Sequence, residues 1–184
     1  MKKLFKTFGL ILAGVLATQW ASAQTVMVGG EAMYPNKNIV ENAVNSKDHT
    51  TLVAAVKAAG LVDALSGEGP FTVFAPVNAA FDALPEGTVS TLLKPENKEK
   101  LAGILTYHVV SGKYDASDLM KAIKKGKGKV EMKALSGGML TFKMNGDRNV
   151  MIMDENGGVA NIVVYDVYQS NGVIHSIDKV LLPK

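Results

Sequence analysis

The order in which two hydrophobic periods occur is the strongest constraint on how this chain folds. From Asn38 to about Lys125 apolar residues recur at helical spacing, whereas from Val130 to the C-terminus they form short runs cut by turn residues. Helices gathered ahead of strands imply an α+β domain with a helix-rich N-terminal half and a strand-rich C-terminal half, not an alternating parallel-sheet fold. The 184 residues leave room for one such domain, since a domain takes ~100–200 residues.

In the helical half, Asn38 with Glu41 three residues on reads as a capping pair that opens a short helix on Ile39, Val40, Ala43 and Val44. Asp48 is the expected cap of the next helix, whose Leu52, Val56 and Ala59 share a face until Gly60. A third helix is predicted from about Glu96, with Leu101, Ile104, Leu105 and His108 on one stripe. A fourth starts at Asp115, carries Leu119, Met120 and Ile123, and stops at Gly126. Phe71 to Ala75 is an isolated buried-type strand in this half, ended by Pro76, with Asn78 placed to cap the turn that follows.

In the strand half, Leu140 to Met144 and Val150 to Met153 flank Asn145-Gly146, a strong hairpin cue. Ala160 to Tyr168 and Val173 to Leu182 repeat the design around Asn171-Gly172. Residues 24–37, with Gly29-Gly30 and Pro35, read as a flexible lead-in to a domain spanning 38–184.

The first 23 residues have the order of an export signal. Lys2, Lys3 and Lys6 precede an apolar stretch around Leu10 to Leu16, and Ala21-Ser22-Ala23 supplies the small residues of a cleavage site. The apolar run breaks at Thr18, well short of the ~18 residues a spanning helix needs, so no permanent membrane anchor is expected. Cleavage after Ala23 removes three lysines from 20 basic residues and none of the 17 acidic ones, leaving 17 against 17. A formal net charge of zero argues against nucleic acid as a partner. The chain has no cysteine, which excludes a disulfide framework, a thiolate metal site and a lipidated cysteine at the cleavage point.

Three segments carry a family resemblance. Gly69-Pro-Phe-Thr-Val-Phe-Ala-Pro-Val-Asn-Ala-Ala-Phe81, followed by Leu84-Pro85, resembles the first signature of fasciclin domains. Tyr107-His108 resembles the family's tyrosine-histidine motif, and Asn171-Gly-Val-Ile-His-Ser-Ile-Asp-Lys-Val-Leu-Leu-Pro183 its second signature. Val77 departs from the usual threonine and Ser176 from the usual aliphatic residue. The resemblance implies a β-sandwich or wedge with helices packed around it. It also implies a secreted or surface-attached protein engaged in adhesion, bacterial members being linked to host association or surface colonisation.

The family links the tyrosine-histidine pair to adhesion, so Tyr107 and His108 are the candidate partner-binding residues. The helical phase turns His108 inward as a structural side chain and leaves Tyr107 at the stripe's edge, partly exposed for a partner. A weaker candidate is the lysine cluster Lys121, Lys124, Lys125, Lys127 and Lys129, suited to an anionic polysaccharide or lipid headgroup, although lysines also complement a helix C-terminus. His175, Ser176 and Asp178 are the residue types of a hydrolase triad, but neighbours on one strand point to opposite faces, so no catalytic residue is assigned. His49, His108 and His175 are scattered. Asp154-Glu155-Asn156 as a calcium loop, and Met132, Met139, Met144, Met151 and Met153 as a Cu(I) set, are weak readings, and neither a metal nor a cofactor is expected.

The sequence thus predicts a secreted or periplasmic, non-enzymatic interaction module whose partner is a cell-surface or matrix protein or polysaccharide. The alternative is an envelope carrier of a small molecule or metal, which needs a concave apolar pocket with convergent polar groups.

Overall fold

A computed structural model describes residues 25–184; the export signal over 1–23 lies outside the described residues. The chain opens with a hairpin of β1 (Val26–Val28) and β2 (Glu31–Met33). Short helices follow: α1 (Ile39–Ala43), α2 (Thr50–Ala59) and α3 (Val62–Ser66). Strand β3 (Phe71–Pro76) precedes α4 (Asn78–Asp82), α5 (Thr88–Leu92) and α6 (Lys98–Tyr107). Then come β4 (Val109–Ser111) and α7 (Ala116–Lys125). The C-terminal half is a run of strands, β5 (Lys129–Lys133), β6 (Met139–Asn145), β7 (Asn149–Met153), β8 (Val159–Gln169) and β9 (Gly172–Ile177).

Seven strands form one sheet in the order β4-β3-β9-β8-β7-β6-β5. Every pair is antiparallel except β3 and β9, which run parallel with Phe71 opposite Gly172 and Ala75 opposite Ser176. Thus the two segments that resemble family signatures lie side by side inside the sheet, second and third from its β4 edge. The sheet curls until its ends approach: Val110 bridges Ala134, and Leu135 N donates to Val109 O at 2.8 Å. This gives a wedge with two cores. One packs the hairpin, α1–α3 and α6 against β3, β8 and β9; the other fills the wedge around Phe142, Leu140 and Ile152, and α7 closes it with Leu119 and Ile123.

Local signals explain several boundaries. Asn38 and Glu41 form a reciprocal capping box at α1, the Asp115 side chain accepts from Asp118 N at 2.9 Å at the start of α7, and Gly60 ends α2 in the left-handed conformation with φ 71°.

Two expectations are overturned. Over the described part of the expected lead-in, residues 25–37, the chain is not a flexible segment. Gly29 and Gly30 supply the positive φ of a tight turn, which lets Val28 and Met33 reach the first core. The segment after the hairpin is tied by the buried Asn42 side chain, which accepts from Tyr34 N at 2.9 Å and donates to Tyr34 O at 2.7 Å. Nor is α2 capped by Asp48. Asn78, expected to cap its own helix, instead accepts from Thr51 N at 3.1 Å and donates to Lys47 O at 2.8 Å, so it caps a helix 27 residues upstream. Asn78→Ala is therefore expected to cost about 1–2 kcal/mol in urea unfolding, as an N-cap loss does. Retained stability would show that solvent replaces this cap.

Candidate functional site

Tyr107 is the last residue of α6, and His108 joins the helix to β4. Burial of both follows from where the helix ends, because the chain passes directly from the first core into the second. Tyr107 is 0% exposed and His108 3%. The Tyr107 hydroxyl donates to Met139 O at 2.8 Å and accepts from Glu155 N at 3.1 Å, joining α6 to the start of β6 and the turn after β7. Burial pushes its pKa up to about 12. His108 donates from Nδ1 to Ile104 O at 2.8 Å and accepts at Nε2 from Leu181 N at 2.9 Å. Both ring nitrogens are used, which fixes the neutral tautomer, and burial lowers the pKa to about 4. The pair fastens one helix end to three distant stretches of chain.

His108 faces the core. The partly exposed Tyr107 is a correction: its ring fills the second core, and a partner cannot touch it without opening the domain. Periodicity within α6 identifies the stripe turned to the first core but carries no information about the wedge that covers the other side.

The residues of triad type do not converge. His175 accepts from Asp166 N at 3.3 Å and donates to Tyr114 O at 2.9 Å, and its ring stacks on Phe74 on the wedge side of β9. Ser176 points the other way and makes no hydrogen bond, while Asp178 accepts from Asn161 N and Nδ2 at 2.7 and 2.9 Å. The acidic loop is also occupied by its own backbone. Asp154 accepts from the amides of Asn156, Gly158 and Leu182, and Glu155 from those of Met139 and Lys184. These bonds hold the Glu155 pKa below its usual value, the one from Met139 most. The methionines are split between faces: Met132 and Met144 pack on the wedge core, whereas Met151 and Met153 alternate with the buried Val150 and Ile152 on the outer face. Among the described residues no group of three or more His, Asp or Glu is placed to hold a metal ion.

The five lysines are all exposed. Lys121 pairs with Asp118 at 3.7 Å and Lys129 with Glu131 at 3.0 Å, whereas Lys124, Lys125 and Lys127 have no carboxylate partner among the described residues. The sheet adds a residue that the sequence reading missed, for Lys143 on β6 lies directly opposite Lys129. Outward alternation with Leu140 and Phe142 marked its face, but only the strand register shows its neighbour. Lys127 also adopts φ 56°, a left-handed backbone uncommon for lysine.

Comparison with known proteins decides the family. The fasciclin domain model matches residues 47–183. The chain belongs to the fasciclin family. It is 48% identical over 168 residues to protein sll1483 of Synechocystis sp., covering 91% of this chain and 86% of that protein. It is also 31% identical over 177 residues to the cell surface glycolipoprotein MPB83 of Mycobacterium bovis, covering 94% and 72%. The FAS1 domain pair of the insect cell adhesion molecule fasciclin I shares the fold, with a TM-score of 0.71 at 21% identity over 80% of this chain and 51% of that one.

Within this fasciclin domain the signature residues act as fasteners. Asn171 parallels Asn78: its Oδ1 accepts from Ile39 N at 3.0 Å, and its Nδ2 donates to Leu65 O and Gly67 O, both at 2.9 Å. The start of α1 and the end of α3 are thereby held on the turn before β9. No helix among the described residues is long and apolar enough to cross a membrane.

Proposed function

We propose that this fasciclin domain is an exported, non-enzymatic adhesion module that attaches to anionic polysaccharide of a cell surface or matrix through the lysines around the α7–β5 turn. The observation that carries this reading is the exposed run of Lys124, Lys125 and Lys127, which have no carboxylate partner among the described residues, with Lys143 on the neighbouring strand β6. Glu131 compensates Lys129, but the rest of the cluster and Lys143 leave a local excess of positive charge that a bound polyanion neutralises. A lysine in left-handed backbone next to Gly128 fits the same reading, since strain of this kind gathers at functional positions. Tyr107 and His108 hold the sheet and helices that present this surface. Burial leaves them no partner-facing atoms.

Retention on an immobilised sulfated polysaccharide tests the proposal. The exported protein is expected to bind at about 0.05 M salt and to elute well below about 0.5 M, where exposed charges are screened beyond a few ångströms. Lys124→Glu/Lys125→Glu/Lys127→Glu is expected to weaken retention at least ten-fold with an unchanged far-UV spectrum. Equal retention of a folded triple variant would remove this surface from the reading.

A further inference from the structure

Among the described residues two buried side-chain polar atoms have no hydrogen-bond partner, and both belong to residues that line the same cavity. The cavity lies between α1–α3 and the sheet, its volume is about 60 Å³, and its walls are almost wholly apolar, built from residues such as Val53, Val56, Leu65, Val73 and Ile174. His49, 3% exposed, presents Nε2, and Ser176, 0% exposed, presents Oγ. Nδ1 of His49 is already bonded to Ser46 Oγ at 2.8 Å, which leaves Nε2 for the cavity. The Ala75 carbonyl lies near enough to the ring to favour its protonated form, but at a geometry short of a hydrogen bond. Ala75 is also the residue opposite Ser176 in the β3–β9 pair, so the His49 ring and Ser176 both lie beside the same point of the sheet without bonding each other.

We propose that this cavity binds a small, mainly aliphatic alcohol, its hydroxyl held by His49 Nε2 and Ser176 Oγ and its carbon chain by the valine-lined wall. A hydroxyl donates to one of these atoms and accepts from the other, whichever ring nitrogen of His49 carries the proton. A charged head does not fit, because the walls are almost wholly apolar and burial disfavours the charged form of the His49 ring. On a scale where ~10–15 Å³ admits one water, the space takes roughly four to six non-hydrogen atoms. The half-buried Val40 and Val62 and the exposed Lys57 also line the space, and a longer chain leaves past them. The site is independent of the lysine surface.

Methyl-labelled exported protein titrated with 1-butanol tests the proposal, with n-pentane as a ligand that lacks the hydroxyl. Saturable shifts of the Val53, Val56 and Ile174 methyls are expected with 1-butanol. Ser176→Ala is expected to weaken 1-butanol binding at least five-fold while leaving n-pentane binding unchanged, and Val53→Phe, which fills the space from its half-buried rim, to abolish the shifts. The absence of saturable shifts in the wild type, as when tightly held water occupies the cavity, overturns the proposal. So does an equal affinity of 1-butanol for wild type and Ser176→Ala, or survival of the shifts in folded Val53→Phe.

Discussion

Tyr107→Ala is expected to lower the unfolding free energy by about 3–5 kcal/mol, the range for removing a fully buried aromatic ring. A domain whose whole stability is typically 5–15 kcal/mol would then be close to unfolding at physiological temperature. Both the ring and the hydroxyl contribute. The ring fills the second core beside Gly138, where a Cβ would sit 2.7 Å from Tyr107 Cε2, so the tyrosine dictates glycine there. The hydroxyl satisfies Met139 O and Glu155 N. Tyr107→Phe keeps the ring and is expected to cost only about 1–3 kcal/mol, from leaving those two groups unpaired. Gly138→Ala should be costly in the wild type and nearly neutral in Tyr107→Ala, because truncation removes the atom it strikes. Urea unfolding of the wild type and the four variants, the double one included, measures all of this. A loss below about 1 kcal/mol for Tyr107→Ala would mean that the ring is not a core residue, and the adhesive role for Tyr107 would return. Any fall in attachment by Tyr107→Ala should be matched by the unfolded fraction, since the ring has no exposed atom with which to meet a partner.

What could be read from the sequence was what local chemistry fixes. The Asn38–Glu41 box, the Asp115 cap and the Gly126 stop of α7 are each set by residues a few positions apart, and the structure has all three. The split into helical and strand halves survives for the same reason, since each period is a property of its own segment. The resemblance carried by the segments at Gly69, Tyr107 and Asn171 fits the family and the fold. Long-range features were not legible. Asn78 has the composition of a cap, but nothing nearby in sequence says that it caps α2. The three-residue strands β1, β2 and β4 are too short to show a period, and Gly29-Gly30 serves a hairpin turn as readily as a loose linker. Burial of Tyr107 had one usable signal, the Val109-Val110 run after it, which sends the chain from the helix straight into a covered strand. The cavity between the layers had none, because Ser176 and His49 stand 127 positions apart and each alone reads as an ordinary core-facing polar residue.

Acid is expected to destabilise the domain between about pH 6.5 and pH 4, a loss that begins above the range in which most carboxylates titrate. His108 has a folded-state pKa of about 4 against 6.5 when unfolded, because its burial disfavours the imidazolium. Between those values the unfolded chain binds the proton that the folded one refuses, so stability rises with pH across the window. The contribution is complete above pH 6.5, falls as pH drops, and by pH 4 has lost up to about 3 kcal/mol, at 1.36 kcal/mol per pKa unit. Burial also lowers the pKa of His49 and His175, so they add to the loss with the same sign. Glu155, whose pKa is held below 4.5 by the Met139 amide, extends it further into acid. Tyr107 sets the alkaline limit by the opposite route. Its folded pKa of about 12 lies above the unfolded 10, so stability is present below pH 10 and is lost as pH rises through 12. Urea unfolding from pH 7.5 to pH 4 measures the acid limb, and His108→Gln isolates its main part. Glutamine still offers a donor and an acceptor but takes up no proton. The variant is expected to be less stable than wild type at pH 7.5, through poorer fit to Ile104 O and Leu181 N, and to have a shallower slope near pH 5 by nearly one bound proton. An unchanged slope in the folded variant would mean that His108 titrates normally, which a ring bonded at both nitrogens and 3% exposed does not permit.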